Sequence, residues 1–485
     1  MKRIKSTIYN HKYLFLTIIF SIIVFLMFLP LSNHNNVWYD EAYQMVLNRN
    51  SLLDIIYYVG RDFSPPFYAI LLKIVTSIFG SSLLVARIVS LSAILSLIWL
   101  AFYPMRKVFN LRVSLIFVIL LITVKFILYA GIEIRPYSWP MFFTLASLIY
   151  ILLILKENKT HQWVLYALFG ILGSYSHNYA ILGIFVINTV FFIYVLIKRR
   201  DLILKYLLFT GIVIIAFLPW LGILGNQINA LNNNFWIPKP NQYTFVESVR
   251  FLFFNSFTLW GTIITGLVIG IINCISYNKS DLKKGIFIIL PFIITIGLFV
   301  YSSMTKKPMF IPRYIVPLSG MLILFISIMF ANIKSKLLLV LVLIIWIVPI
   351  FKVYKEEYGK TDDSSTYEIQ KFVLDNSIKN EDIVFLQDRE FDLGELSYYF
   401  KDAIHICHSK TDTVLTNYDL FKTVIEIEDI LEAKDITRYL WINNILFETK
   451  MLLLQNGWKE IKEDSFYNPY FGSYRLTYFE YVGLQ

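Results

Sequence analysis

LFLTIIFSIIVFLMFLPL, residues 14–31, is followed within a few residues by NVWYDEAYQ, residues 36–44. Eighteen apolar residues rise about 27 Å as a helix, close to the roughly 30 Å of hydrocarbon in a bilayer. The run follows Lys2, Arg3, Lys5 and Lys12, as a signal peptide would. It is too long for one and lacks a small-residue cleavage site, so it is expected to stay as a membrane helix. Just beyond it, Trp38, Tyr39 and Tyr43 suit the headgroup layer, and two adjacent acids, Asp40 and Glu41, stand among them.

Working outward, apolar runs of similar length recur. Eleven crossings are expected near 13–31, 83–103, 113–130, 138–155, 162–176, 179–197, 203–221, 256–276, 285–302, 313–331 and 337–353. The chain of 485 residues is 57% hydrophobic and 16% charged, with a mean hydropathy of +0.61. Soluble domains are usually about 45–50% apolar and about 25% charged, so composition excludes an ordinary soluble protein. Residues 1–353 hold 30 Lys or Arg against 9 Asp or Glu, a net of +21, whereas residues 354–485 hold 14 against 25, a net of −11. The expected fold is an α-helical polytopic membrane domain over 1–353, with a first outer loop at 32–82 carrying interfacial helices. A small extracytoplasmic α/β domain is expected over 354–485. There DIVFLQ, AIHICH, YLWINN and RLTYFEYV read as strands, and GELSYYFKD and ETKMLLLQNGWKEIKE as helix-like stretches.

Orientation follows from the loops richest in Lys and Arg. The N-terminus, Arg106/Lys107/Arg112, Lys156/Lys159, Lys198–Arg200 with Lys205, Lys279/Lys283/Lys284 and Lys334/Lys336 fall on one side only if the chain crosses eleven times. That places the N-terminus in the cytoplasm of a cell-membrane protein and the tail outside. SPPFYAILLKIVTSIFG, residues 64–80, is short and carries two prolines and Lys73, so it is read as interfacial or re-entrant. Cys274 and Cys407 have no metal-type spacing, and His405 and His408 flank Cys407 in what reads as a strand end.

The nine acids of the helical part carry the functional argument. Glu157, Asp201 and Asp281 sit beside cations in the basic loops and read as solvated charges. Asp40, Glu41, Asp54, Asp62, Glu133 and Glu247 fall on the other side, and for Asp54 and Glu247 solvation is again explanation enough. Adjacent carboxylates such as Asp40 and Glu41 suit a general base or a metal ligand, although a helix cap at Asp40 would also account for them. Pro65 and Pro66 fix the backbone around Arg61, Asp62 and Ser64. Glu133 and Arg135 share a seven-residue turn and form either a structural ion pair or a substrate clamp. His177 lies at a hairpin tip. Lys306, Lys307 and Arg313 stand on the outer side against the charge rule; snorkelling to lipid explains the lysines, whereas the fork of Arg313 suits a bound phosphate.

WYDEAY (38–43), the Asp62-x-x-Pro-Pro-x-Tyr68 run followed by FGSS and Arg87, EIRPY (133–137), SHNY (176–179) and PRYIVP (312–317) occur in that order. Together they resemble the GT-C superfamily of polytopic glycosyltransferases, in particular protein O-mannosyltransferases and the aminoarabinose transferases of lipid A. The similarity covers about residues 12–320, and the tail only in outline. The resemblance implies an enzyme that takes a sugar from a polyprenyl-phosphate carrier and passes it, with inversion, to a glycan, polymer or protein acceptor. It implies Asp40 as the base with Glu41 beside it, Glu133 as a second acid, and Arg313 with Arg135 on the donor phosphate. Relatives often carry His or Lys where this chain has Ser64, a gap that Arg61 or His177 would fill. Asp62, Tyr68 and Tyr137, inside the same motifs, are assigned to substrate binding. No cofactor is required by the sequence. Asp40, Glu41 and Glu133 could share a divalent cation with the phosphate, but no spacing demands one. Membrane lipid is an expected partner and nucleic acid is not.

A transporter or flippase of lipid-linked sugars would share the spans and outer cations, but it would carry ionisable groups near the midplane. A polysaccharide polymerase would share the long outer loops without needing the Asp40–Glu41 pair. A sensor would not need so many helices.

Overall fold

The computed structural model describes residues 2–34, 37–230, 237–253, 257–359, 383–387, 397–401, 404–407, 439–443, 447–468 and 472–482. The chain divides into two compact units, Met1–Ser32 with Phe63–Lys355, and Asn33–Asp62 with Glu356–Gln485.

The first unit is helical. Helix α1 (Lys2–Ser32) precedes α2 (Tyr39–Leu47) and α3 (Leu52–Arg61), which belong to the second unit. Then come α4 (Phe67–Phe79), α5 (Leu83–Leu100), a π-helical turn (Ala101–Met105), α6 (Arg106–Val108), α7 (Leu111–Ile122), α8 (Lys125–Ile132) and α9 (Ser138–Glu157). They are followed by α10 (Thr160–Ser174), α11 (Asn178–Lys198), α12 (Ile203–Ala230), α13 (Gln242–Phe253), α14 (Phe257–Tyr277), α15 (Lys279–Thr305), α16 (Val316–Ala331) and α17 (Lys336–Gly359). Among the described residues nine helices are long and apolar enough to cross a membrane, or ten if the bent pair of α7 and α8 counts as one.

Two expected spans therefore differ from plain helices. The run 113–130 is broken at Thr123 and Val124, where α7 and α8 meet at 71°. Thr123 Oγ1 donates back to Ile119 O at 2.6 Å, a local bond that competes with helix continuation between two β-branched residues. The run 162–176 is α10, only 15 residues and hence about 22 Å long.

Hydrogen bonds define the two ends of this unit. At one end Arg106 lies 3.6 Å from the centre of the Tyr13 ring, and Lys156 donates to Lys107 O. Arg199 donates to Leu155 O, Lys205 to Asn158 Oδ1, Arg112 to Ile333 O and Lys284 to Val108 O. The basic turns are thus tied to one another, mostly by cations on the carbonyls that helix C-termini leave unpaired. At the other end Arg87 donates to Ser32 O, Ser138 to Ser90 O, Asn178 to Phe63 O and Tyr179 to Met309 O, and Tyr175 O accepts from Phe67 N. The Phe245–Phe310 ring contact puts α13 at this end too. Among the described residues α10 also runs from one of these ends to the other, from the turn at Asn158 to that at Tyr175. Helix α4 begins and α5 starts at the same end, so 64–80 does not pass through.

Close packing inside the unit is set by particular small residues. A Cβ at Gly270 of α14 would stand 2.3 Å from Met329 O of α16, so only glycine allows these backbones to approach. Within the hydrocarbon-length part, Tyr166, Asn188, Thr210 and Tyr206 join α10, α11 and α12 through buried hydrogen bonds, including Tyr166 to Thr210 at 2.8 Å.

In the second unit five strands form one sheet: β1 (Ile383–Gln387), β2 (Ile404–Cys407), β3 (Tyr439–Asn443), β4 (Trp458–Asn468) and β5 (Gly472–Tyr481), in the order β2-β1-β3-β5-β4. β1 pairs parallel with β2 and β3, and β5 pairs antiparallel with β3 and β4. The stretch 448–463 is not one helix. Helix α18 (Phe447–Gln455) stops at Gly457, whose φ of 89° only glycine adopts readily, and Trp458 starts β4. His405 lies in β2, and His408 is outside the described residues.

Candidate active site

The turn between α8 and α9 is built by two successive tight bonds, Arg135 N to Glu133 O at 2.8 Å and Tyr137 N to Arg135 O at 2.9 Å. Pro136 between them has no N–H to offer. Glu133 ends α8 in an extended conformation and Tyr137 opens α9. Arg135 folds over the Tyr137 ring at 5.5 Å and donates to its hydroxyl at 3.4 Å.

Opposite this turn, the α10–α11 hairpin presents His177 as the cap of α11. Its Nδ1 accepts from Tyr179 N at 3.1 Å. A third piece is the short 3-10 turn Pro312–Ile315, which feeds α16 and carries Arg313, 5.9 Å from the Tyr314 ring. The His177 ring centre lies 5.8 Å from Tyr137, 5.8 Å from Tyr179 and 5.5 Å from Tyr314. Tyr179 is fixed in turn by its bond to Met309 O and by stacking on Phe299. Three tyrosines therefore enclose one histidine, with Arg135 and Arg313 beside it.

This environment decides the charge of His177. Burial, reinforced by the charges of Arg135 and Arg313, pushes it down to about 3. Read from the sequence as one of the cations, it is instead a neutral imidazole. With Nδ1 accepting from Tyr179, its proton sits on Nε2, which makes it a hydrogen-bond donor of fixed tautomer. Positive charge here rests on the two guanidiniums, both half-buried.

Tyr68 does not join them. It is 1% exposed and its hydroxyl pairs with Ser90 at 2.8 Å, a bond that holds α4 against α5. Tyr179 and Tyr314, unassigned by the sequence reading, do join; both stand inside quoted motifs, next to His177 and Arg313.

The remaining candidates belong to the second unit. Asp40 and Glu41 lie in the first turn of α2, Asp40 half-buried and Glu41 3% exposed. The cap position is Trp38, without a side-chain bond, so Asp40 is not the helix cap. Asp62 ends α3, and Arg61 bonds Tyr57 at 3.0 Å and lies over its ring. The plainer readings fit elsewhere: Asp54 pairs with Ser51, Glu247 with Arg250, Glu157 with Lys159, Asp201 with Arg199 and Asp281 with Lys284. Among the described residues no three His, Cys, Asp or Glu come together as a metal site.

Known proteins agree with this architecture. The family described as dolichyl-phosphate-mannose-protein mannosyltransferase matches residues 64–223. The structure of ArnT from Cupriavidus metallidurans in the apo state superposes with a TM-score of 0.64 at 11% identity, covering 96% of this chain and 98% of that one. The same protein bound to undecaprenyl phosphate gives 0.64 at 12% identity over the same shares. Arabinofuranosyltransferase AftD from Mycobacteria gives 0.50 at 12% identity, covering 97% of this chain and 40% of that larger one. No curated protein sequence matches the chain. The fold is therefore shared with ArnT over nearly the whole length of both chains.

Proposed function

We propose that the protein is an inverting glycosyltransferase that moves a sugar from a polyprenyl-phosphate carrier to an acceptor hydroxyl on the extracytoplasmic face of the cell membrane. The observation that carries this reading is the group of Arg135, Arg313 and His177 walled by Tyr137, Tyr179 and Tyr314. Two guanidinium forks and a neutral N–H donor suit a phosphate, and undecaprenyl phosphate is the ligand of a protein with the same fold. In this reading the basic turns and the N-terminus face the cytoplasm, and residues 354–485 form an extracytoplasmic α/β domain.

A polyprenyl phosphate leaves as a stabilised anion, so its oxygen needs positive charge more than it needs a general acid. The acceptor hydroxyl attacks the anomeric carbon from the opposite face, the carbon–oxygen bond to phosphate breaks, and the hydroxyl proton passes to a carboxylate. Asp40 is that base, with Glu41 beside it. Glu133 is the second acid, its turn supporting Arg135, and Arg61 and Asp62 contribute from the end of α3. Preorganised arginines and a positioned base supply the acceleration.

Purified protein supplied with a panel of polyprenyl-phosphate sugars tests the reading by following release of the bare carrier. Asp40→Asn should abolish transfer while expression and folding persist. Transfer at near wild-type rate in that variant would remove Asp40 as the base, and movement of intact donor across vesicles without carrier release would make the protein a flippase.

A further inference from the structure

Helix α2, which carries Asp40 and Glu41, has nine residues. Isolated helices shorter than about 12 residues are marginal in water, and Trp38 gives this one no side-chain cap. Something else must hold it. Beyond its last residue, Arg49 places Nη1 on Ser397 O at 3.0 Å and Nη2 on Tyr398 O at 2.7 Å, with its guanidinium 5.5 Å from the Tyr398 ring. Before its first residue, Val37 N donates to the Tyr399 hydroxyl at 3.1 Å, a buried bond. One three-residue segment of the tail therefore grips α2 at both ends, across roughly 350 residues of sequence. Ser397, Tyr399 and Phe400 are themselves buried, 5%, 9% and 1% exposed, so the gripping segment is anchored.

The bonds are of a fixing kind. A guanidinium fork on two successive carbonyls defines direction as well as distance, which a lysine cannot reproduce. The tyrosine hydroxyl satisfies a buried backbone N–H that would otherwise be costly to leave unmet. We propose that Arg49 and Tyr399 are positioning residues, through which the tail sets the place of the proposed base Asp40. The tail then acts as the mount of the catalytic helix, and no residue of it need touch substrate.

This rests on the reading of Asp40 as base, and the test separates the two. Tyr399→Phe removes one hydroxyl and Arg49→Lys keeps the charge while losing the fork. Each should lower kcat about tenfold, since a misplacement near 1 Å can cost about a hundredfold, with donor and acceptor KM unchanged and the thermal midpoint lowered by only a few degrees. Amide exchange over residues 37–49 should quicken in both variants, a readout independent of turnover. Unchanged kcat overturns the proposal whether or not exchange quickens. So does a loss of kcat matched by a collapse of the thermal midpoint, which would mark a merely structural contact. Should Asp40→Asn retain activity, the base is reassigned, and quickened exchange with reduced kcat still identifies the segment as the mount of α2.

Discussion

At neutral pH an ordinary histidine exchanges its proton with water, but the imidazole of His177 is enclosed by Tyr137, Tyr179 and Tyr314 and faces two arginines. Its folded value near 3 lies below the unfolded value near 6.5, so acid favours the unfolded chain. The stabilisation is complete above about pH 6.5 and falls as pH drops toward 3, by up to about 1.4 kcal/mol per unit. Denaturation midpoints between pH 6.5 and 5 should fall more steeply for the wild type than for His177→Gln, by about 2 kcal/mol over that window. Parallel curves would show that the site leaves His177 unperturbed. For Arg313→Lys, transfer should drop about tenfold with the charge retained, because the fork is lost; equal kcat/KM for the two proteins would show that only charge matters. Asp40 and Glu133 stand out in the sequence because acids are scarce in its helical part, and Arg313 because it breaks the charge rule. The neutrality of His177 does not, since it arises from neighbours 40 and 136 residues away in sequence.

At the level of helices, hydropathy located the passes but could not pair them. Gly270 is one of several glycines in apolar runs, and only the backbone of Met329 against it separates it from Gly261, where an added Cβ meets nothing within 4 Å. Gly270→Ala should therefore destabilise the protein by about 1–3 kcal/mol as overpacking, whereas Gly261→Ala should be neutral or slightly stabilising. Thermal midpoints in detergent compare the two, and equal shifts would contradict the close approach of α14 to α16. The break at Thr123 and the turn at Gly457 were hidden for related reasons. An apolar window reads through a bend, and the run TKMLLLQ gives no notice that Gly457 will turn the chain into a strand.

Across the whole chain, the alternation of basic and poorer turns predicted which turns share an end, and the bonds among Arg112, Lys156, Arg199, Lys284 and their carbonyl partners show that they do. Which end faces the cytoplasm is testable by labelling. With Cys274 and Cys407 replaced by serine, Arg200→Cys should react with an impermeant maleimide only after cells are opened, and Tyr243→Cys in intact cells. The reverse pattern would place the candidate site on the wrong side. Hydropathy, being additive along the chain, could not anticipate that residues 33–62 cluster with the tail, a matter of contacts far apart in sequence. The brevity of α10 has a further effect. A helix of about 22 Å stops some 8 Å short of full hydrocarbon thickness, a mismatch that a bilayer accommodates by thinning or dimpling inward beside it. On the proposed function, a carrier's head drawn into such a depression would meet the arginines below the general plane of the leaflet, and bilayers of long-tailed lipids, which resist the deformation, would slow transfer without altering one side chain.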